Sequence, residues 1–174
     1  MRFSPVPVPS DLLAIRQFES VHYADCYRCP APGHDPITVD LLARLFFSEA
    51  MPSWIRRAIA FNERAQERAG KRPEWTMPDP TDPSPVETGT RTGPWKVVDR
   101  DATEIVFRED AFHLDFAFSL HVRGQGDDRA IEATTLVAFH GLPGKLYFAP
   151  VGPIHRRLVP RHMDAVLRIA SRRR

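Results

Sequence analysis

Apolar and polar residues alternate with a period of two over much of the chain after Pro94, which is typical of strands. Five segments follow this pattern: 96–99, 104–108, 112–123, 130–140 and 145–149. Short connections rich in glycine, at 124–128 and 141–144, separate the last three. Because short links join neighbouring strands that run in opposite directions, the pattern predicts an antiparallel meander.

Helical spacing dominates the chain before this region. Apolar residues recur every three to four positions in Thr38–Ala50, with Thr38 as a candidate N-cap. Pro52 interrupts that pattern, and Ser53 can start a second helix that runs to 69. A third apolar stripe predicts a C-terminal helix from Pro153 onward. A short helix and a strand are predicted near the N-terminus, over 11–18 and 21–29.

The segment 112–123 has the most regular alternation. One face carries only apolar side chains, namely Phe112, Leu114, Phe116, Phe118, Leu120 and Val122. Such a face has to be buried against other elements, and the predicted helices can pack on it. The sequence therefore predicts an α+β fold of the helix-grip type: a curved antiparallel meander packed on two central helices and a long C-terminal helix. That arrangement often leaves an apolar cavity between sheet and helix.

Length and composition predict a single domain over residues 1–174, with a proline-rich extended arm at 1–9 and a proline-rich loop at 71–93. No run of 18 apolar residues is present, the N-terminus lacks the pattern of a secretory signal, and there are two cysteines. We therefore expect a cytoplasmic protein of bacterial type. The basic segment 154–174 suits the end of a helix, and it lacks the interleaved aromatic residues of a nucleic-acid site.

Several motifs in this order resemble a known family. They are His113-Leu114-Asp115-Phe116, Glu132-Ala133-Thr134-Thr135, Gly144-Lys145-Leu146-Tyr147-Phe148 and Pro153-Ile154-His155-Arg156, with Pro52-Ser53-Trp54 upstream. The chain resembles the family called domain of unknown function 2867 over roughly residues 18–170. That family is similar to the START-like (SRPBCC, helix-grip) superfamily, which implies a pocket for an apolar ligand.

The first functional hypothesis is binding of a small apolar or amphipathic molecule between the sheet and the C-terminal helix. The expected apolar walls are Trp54, Phe61, Phe112, Leu114, Phe116 and Phe118. The expected polar groups are His155 and Arg156, because a guanidinium suits an anionic head group. We predict no cofactor, no nucleic-acid partner and no membrane span. The sequence leaves the oligomeric state open between a monomer and a homodimer.

Two further hypotheses stay open. His113 and Asp115 lie two residues apart on one strand, so their side chains share a face, and a carboxylate beside an imidazole suits acid–base chemistry of a cyclase or hydratase. The third hypothesis is a structural or interaction protein with a filled core. The three hypotheses differ in where an enclosed space should lie. Ligand binding requires it beside the apolar face of the sheet, catalysis requires it beside the face of His113 and Asp115, and a filled core leaves none.

Cys26 and Cys29 form a CxxC pair, and His22 and His34 flank it. These four residue types are zinc ligands, but their spacing matches no common zinc finger. In a strand the two thiols would point to opposite faces, so ordinary buried thiols are the simpler interpretation. The sequence has no glycine-rich phosphate loop, GxSxG elbow, HExxH motif or dinucleotide-binding fingerprint.

Overall fold

The computed structural model describes residues 2–31, 37–53, 56–57, 60, 64 and 78–172. Within these ranges the fold is α+β, as predicted, with one seven-stranded antiparallel sheet. The strands are β1 (Ser4–Val6), β2 (Tyr23–Pro30), β3 (Arg91–Thr92), β4 (Trp95–Arg100), β5 (Glu104–Asp110), β6 (Leu114–Arg123) and β7 (Ala130–Phe139). The helices are α1 (Val39–Phe47) and α2 (Gly141–Arg172), with short 3-10 helices at Leu13–Gln17 and Gly126–Asp128.

The strand order across the sheet is β1-β2-β7-β6-β5-β4-β3. Strands β3 to β7 form the predicted meander, and β2 then pairs antiparallel with β7 and brings β1 with it. The register aligns Asp25, Thr135, Phe118 and Phe107 in one row across four strands. Paired residues of neighbouring strands point to the same face, so this row lies on one side of the sheet.

Helix α1 begins and ends near the predicted residues. Thr38 is its N-cap, because the Thr38 hydroxyl accepts a hydrogen bond from the Leu41 N–H. The helix buries Leu42, Leu45 and Phe46 against the sheet and α2. Most of the second predicted helix, including Trp54 and Phe61, lies outside the described residues, as does His34.

The predicted strand at 145–149 is wrong, and so is the predicted start of the last helix at Pro153: these residues belong to α2, which begins at Gly141. Pro143 lies in the first turn, where its missing N–H has no helical partner in any case. Gly144 packs so closely on the residue before β6 that a Cβ there would overlap the His113 carbonyl. Leu146 and Tyr147 are exposed on the helix, so their apolar character does not reflect a buried strand.

Helix α2 continues through Pro150, Pro153 and Pro160. Each proline leaves the carbonyl four residues earlier without its helical hydrogen bond. For Pro160 that carbonyl belongs to Arg156, and the Tyr27 hydroxyl donates to it at 3.3 Å. A tyrosine of β2 thus replaces the missing helical donor and ties α2 to the sheet.

Different elements pack on the two faces of the sheet. The main core lies between one face, α1 and α2, and includes Phe47, Phe107 and Phe118. A smaller core on the opposite face packs under the first 3-10 helix and joins Leu12, Ala14, Val106, Ala117 and Leu136. The N-terminal segment therefore partly buries the face opposite the main core. That residues 1–174 form one domain stays a prediction.

The described part of the proline-rich loop is attached to α1. Val86 is buried, and its backbone N–H donates to Asp40 at 2.7 Å. Arg100 of β4 donates to the same carboxylate at 2.9 Å. Within the ranges that the structure describes, no helix is both long and apolar enough to cross a membrane.

Candidate functional site

A pocket opens between α2, α1 and the sheet, on the side of the main core. Its volume is about 210 Å³, and its walls are mainly aromatic and aliphatic. Phe46 and Phe47 come from α1, and Trp95, Phe116 and Phe118 come from the sheet. We call this the inner pocket. Trp95 contacts Phe116 and Phe118 with ring centroids 4.8 and 5.8 Å away, so these three rings form one continuous wall.

A second pocket of about 320 Å³ lies beside the inner one, toward the N-terminal end of α2. We call it the outer pocket. Leu114, Val137, Tyr147 and Phe148 contribute apolar walls, and Glu109, His113 and Thr135 contribute polar ones. Trp95, Phe116 and His155 line both pockets. The two spaces therefore adjoin at these three side chains.

A polar cluster stands at this junction. His155 Nε2 lies 3.0 Å from Thr135 Oγ1 and 3.4 Å from Asp25 Oδ2. The Tyr23 hydroxyl donates to the same Asp25 oxygen at 2.5 Å. The side chains of Asp25 and His155 are only 14% and 15% exposed, so the pair works in a region of low dielectric. Burial, and then the bond with Asp25, raises the pKa of Tyr23 above its ordinary value, which keeps the hydroxyl protonated.

This contact selects one form of the His155 ring. A carboxylate can only accept hydrogen bonds, so the nitrogen that faces Asp25 is the one that carries the proton. In the neutral ring Nδ1 is then the acceptor, and it makes no hydrogen bond with any residue that the structure describes. Asp25 has one further oxygen, Oδ1, that is buried without a partner in the described part of the chain.

His162 lies two turns further along α2 and lines the inner pocket. It is 7% exposed and stacks on Phe46, with ring centroids 4.1 Å apart. Burial lowers the pKa of His162 to about 4, so the ring is neutral at pH 7. Its Nε2 atom is buried and has no partner among the described residues.

The family model described as Protein of unknown function (DUF2867) matches residues 17–162. The chain belongs to the DUF2867 family. The matched span includes every residue of the polar cluster and every residue that lines the two pockets, the last of which is His162. The searches of curated proteins and of solved structures found no match. The family description states no activity, so function has to be argued from the site itself.

In this DUF2867 protein, some of the predicted binding residues line a pocket and others do not. Phe116 lines both pockets, Phe118 the inner one and Leu114 the outer one. His155 stands at the junction, whereas the neighbouring Arg156 is exposed and lines neither pocket. Phe112 precedes β6, is 89% exposed and also lines neither pocket. Trp54 and Phe61 lie outside the described residues.

His113 and Asp115 have different neighbours in the structure. Asp115 Oδ2 lies 3.1 Å from His140 Nε2 and 3.6 Å from Arg108, and no hydrogen bond or ion pair between described residues joins it to His113. His113 instead packs on Tyr147, with ring centroids 4.4 Å apart, and lines the outer pocket. At the pockets, the carboxylate beside an imidazole is that of Asp25, which contacts His155 from a distant part of the chain.

Cys26 and Cys29 are both buried free thiols on β2. The thiol of Cys29 belongs to the main core, and Cys26 lies on the opposite face of the sheet. Burial raises the pKa of both, for Cys26 to about 11, which opposes thiolate chemistry. His22 stacks on Phe139 and accepts from its backbone N–H at 3.0 Å. Among the described residues no group of side chains is placed to hold a metal ion.

Sequence reasoning missed most of the polar cluster. The pattern places Tyr23 and Asp25 in a strand and Thr135 in a motif of the family, but it assigns none of them to the site. Alternation in β2 puts Tyr23, Asp25 and Tyr27 on one face, but nothing in the sequence says that this face meets α2.

Proposed function

We propose that the protein binds a small amphipathic molecule in the two adjoining pockets between the sheet and α2. The observation that carries this proposal is a mainly apolar space with one polar side chain at its centre. Aromatic rings line the two pockets, and His155, in contact with Asp25 and Thr135, lies where the pockets adjoin. Ligand sites are typically apolar cavities of roughly 300–1,000 Å³ with a few placed polar groups. A pocket of about 210 Å³ that adjoins one of about 320 Å³ suits that description.

The apolar wall supplies affinity in this proposal. Trp95 and Phe116 line both pockets, so a ligand that occupies the junction covers both rings. Burial of apolar surface contributes roughly 25 cal/mol per Å². The cavities also argue against the hypothesis of a completely filled core, which would leave no space beside the sheet.

Fluorescence titration with N-phenyl-1-naphthylamine, a neutral dye that brightens in apolar sites, tests the proposal. Phe116→Arg places a cation in the wall shared by both pockets and should weaken dye binding at least tenfold. Phe112→Arg makes the same chemical change at a ring that is 89% exposed and lines neither pocket, so binding should persist. Circular dichroism confirms that both variants fold. Equal dye binding by folded Phe116→Arg and unsubstituted protein would contradict the proposal.

A second candidate function is proton transfer on the bound molecule, and the specific observation that favours it is the Asp25–His155 contact. Asp25 orients the ring, so that His155 Nδ1 is arranged as a general base. Asp25 is a positioning residue in this scheme, and Tyr23 holds Asp25 in turn. This pair replaces His113 and Asp115 in the hypothesis of a cyclase or hydratase.

The ring opening of 5-nitrobenzisoxazole tests for such a base without knowledge of the natural substrate. A base removes the proton from the carbon next to the ring nitrogen, the N–O bond breaks, and a coloured cyanophenolate forms. We expect saturable turnover that His155→Ala abolishes. Asp25→Asn should lower kcat more than it changes KM, because it alters the orientation of the ring and not the apolar wall. Turnover that survives in His155→Ala would exclude His155 as the base.

A further inference from the structure

Glu109 distinguishes the outer pocket from the rest of the space between the sheet and α2. Among the residues that the structure describes, it is the one aspartate, glutamate, lysine or arginine that lines either of the two pockets. The whole chain has a formal net charge of +2. A charged ligand in the outer pocket therefore meets a neighbouring charge whose sign is opposite to that of the protein as a whole.

The sheet register holds Glu109 in the wall of the outer pocket. Glu109 of β5 pairs with Phe116 of β6, which pairs in turn with Val137 of β7. Paired residues of neighbouring strands point to the same face, so the carboxylate lies beside an aromatic ring and a valine. The Glu109 side chain is 42% exposed, so a ligand can reach it from the open side of the pocket.

The carboxylates near the pockets are only partly neutralised by the protein. Arg91 Nη2 lies 3.5 Å from Glu109 Oε2, and pairs that are this exposed contribute little. The other oxygen of Glu109, Oε1, makes no hydrogen bond or ion pair with any residue that the structure describes. Asp25 adds a second carboxylate behind His155, and within the described ranges no lysine or arginine pairs with it.

Four aromatic rings also line the outer pocket. Trp95 and Phe116 come from the sheet, and Tyr147 and Phe148 come from α2. The face of an aromatic ring attracts a cation that lies within roughly 6 Å of its centroid. The volume of about 320 Å³ keeps any occupant close to several of these rings. Carboxylate and rings together favour a positively charged group over a negative one.

We propose that the bound amphipathic molecule is an organic cation, with an ammonium group in the outer pocket beside Glu109 and an apolar body in the inner pocket. This inference rests on the proposed function, because it specifies the ligand class of the same two pockets. The charge of the ligand is the opposite of that expected from Arg156, which lines neither pocket.

Three probes of nearly the same shape differ in charge. They are benzyltrimethylammonium, its neutral carbon analogue neopentylbenzene, and the anion phenylmethanesulfonate. Their affinities are measured at pH 8 by displacement of N-phenyl-1-naphthylamine, and the cation should bind more tightly than the anion. Benzyltrimethylammonium has no N–H group, so its affinity depends on charge and not on hydrogen bonding. Because the probes differ in hydration, the change that a variant causes in each affinity is the informative quantity.

Glu109→Gln removes the carboxylate charge and keeps the size of the side chain. The affinity for benzyltrimethylammonium should fall roughly 3- to 10-fold, while that for neopentylbenzene changes by less than about twofold. Glu19→Gln is the matched control, because it removes the same charge from an exposed side chain that lines neither pocket. All three affinities should be unchanged in that variant.

Tyr147 tests the aromatic contribution at a position where substitution should not disturb the core, since this side chain is 53% exposed. Tyr147→Leu keeps an apolar wall but removes the ring, so the affinity for benzyltrimethylammonium should fall roughly 2- to 5-fold. Tyr147→Phe keeps the ring and should retain that affinity. Neither substitution should weaken neopentylbenzene to the same extent.

A salt titration of the unsubstituted protein covers the case in which a variant does not fold. Raising NaCl from about 20 mM to about 500 mM shortens the Debye length from roughly 20 Å to roughly 4 Å, so the affinity for benzyltrimethylammonium should fall about threefold or more. Neopentylbenzene should bind no more weakly at high salt.

Unchanged affinity for benzyltrimethylammonium in folded Glu109→Gln, or at high salt, would overturn the cation inference. Tighter binding of phenylmethanesulfonate than of benzyltrimethylammonium would overturn it as well. In each case displacement of the dye by neopentylbenzene would leave the proposed pocket intact. Failure of all three probes to displace the dye would overturn both the inference and the proposed pocket.

Discussion

Acidification should destabilise the protein through His162. Burial lowers the pKa of this imidazole from 6.5 to about 4 in the folded chain, and it is 7% exposed. Between these values the unfolded chain binds a proton that the folded chain does not, so protonation favours unfolding. The stability that depends on neutral His162 is complete above pH 6.5 and falls as the pH drops toward 4. Proton linkage with the two pKa values gives a loss of about 2 kcal/mol at pH 5 and about 3 kcal/mol at pH 4.

Urea unfolding at several pH values between 8 and 4, for the unsubstituted protein and for His162→Phe, measures this loss. Phenylalanine keeps the ring stacked on Phe46 but cannot titrate, so groups common to both chains cancel in the difference. Between pH 8 and pH 5, the free energy of unfolding of the unsubstituted protein should fall by about 2 kcal/mol relative to that of His162→Phe. His140→Asn should not reproduce this trend, because the adjacent Asp115 carboxylate raises the pKa of His140. Parallel curves for the unsubstituted protein and His162→Phe would refute the reasoning.

Three further substitutions test other parts of the fold by urea unfolding. Glu132 is fully buried and accepts from Arg28, Arg123 and His121, so Glu132→Ala should cost about 3 kcal/mol because it leaves these groups without their partner. An effect below about 1 kcal/mol would show that water replaces the carboxylate. Gly144→Ala should cost about 2 kcal/mol, since its Cβ would overlap the carbonyl of His113, directly before β6, whereas Lys145→Ala should be nearly neutral. Thr38→Ala removes the N-cap of α1 and should cost about 1 kcal/mol; Thr38→Ser should retain most of that.

The local pattern was sufficient for elements whose periodicity and caps agree. Four of the five strands predicted after Pro94 are present, and α1 begins directly after Thr38 as its capping side chain requires. The prediction for 145–149 is wrong because apolar residues there do not mark a buried strand. Gly144 contacts the backbone of His113, and the helix leaves Leu146 and Tyr147 exposed.

Only some of the residues of the candidate site could be predicted from the sequence. Phe116, Phe118 and His155 were identified because each lies in a segment with a clear period or in a motif of the family. Asp25 was not, because its importance comes from a contact with a residue 130 positions later in the chain, His155. No local rule connects two residues so far apart, and the same holds for Tyr27, which donates to a carbonyl that Pro160 leaves free.

The fold class, the strand alternation and the apolar character of the face that meets the helices follow from the amino-acid sequence, because these depend on period and composition. The set of side chains that share the space between the sheet and α2 follows from the folded arrangement. That choice depends on the register of β2 against β7 and on the position of α2 across the sheet, which together bring Asp25, Thr135 and His155 to one point. Register and helix placement are set by packing over the whole core, so they appear only when the chain is folded.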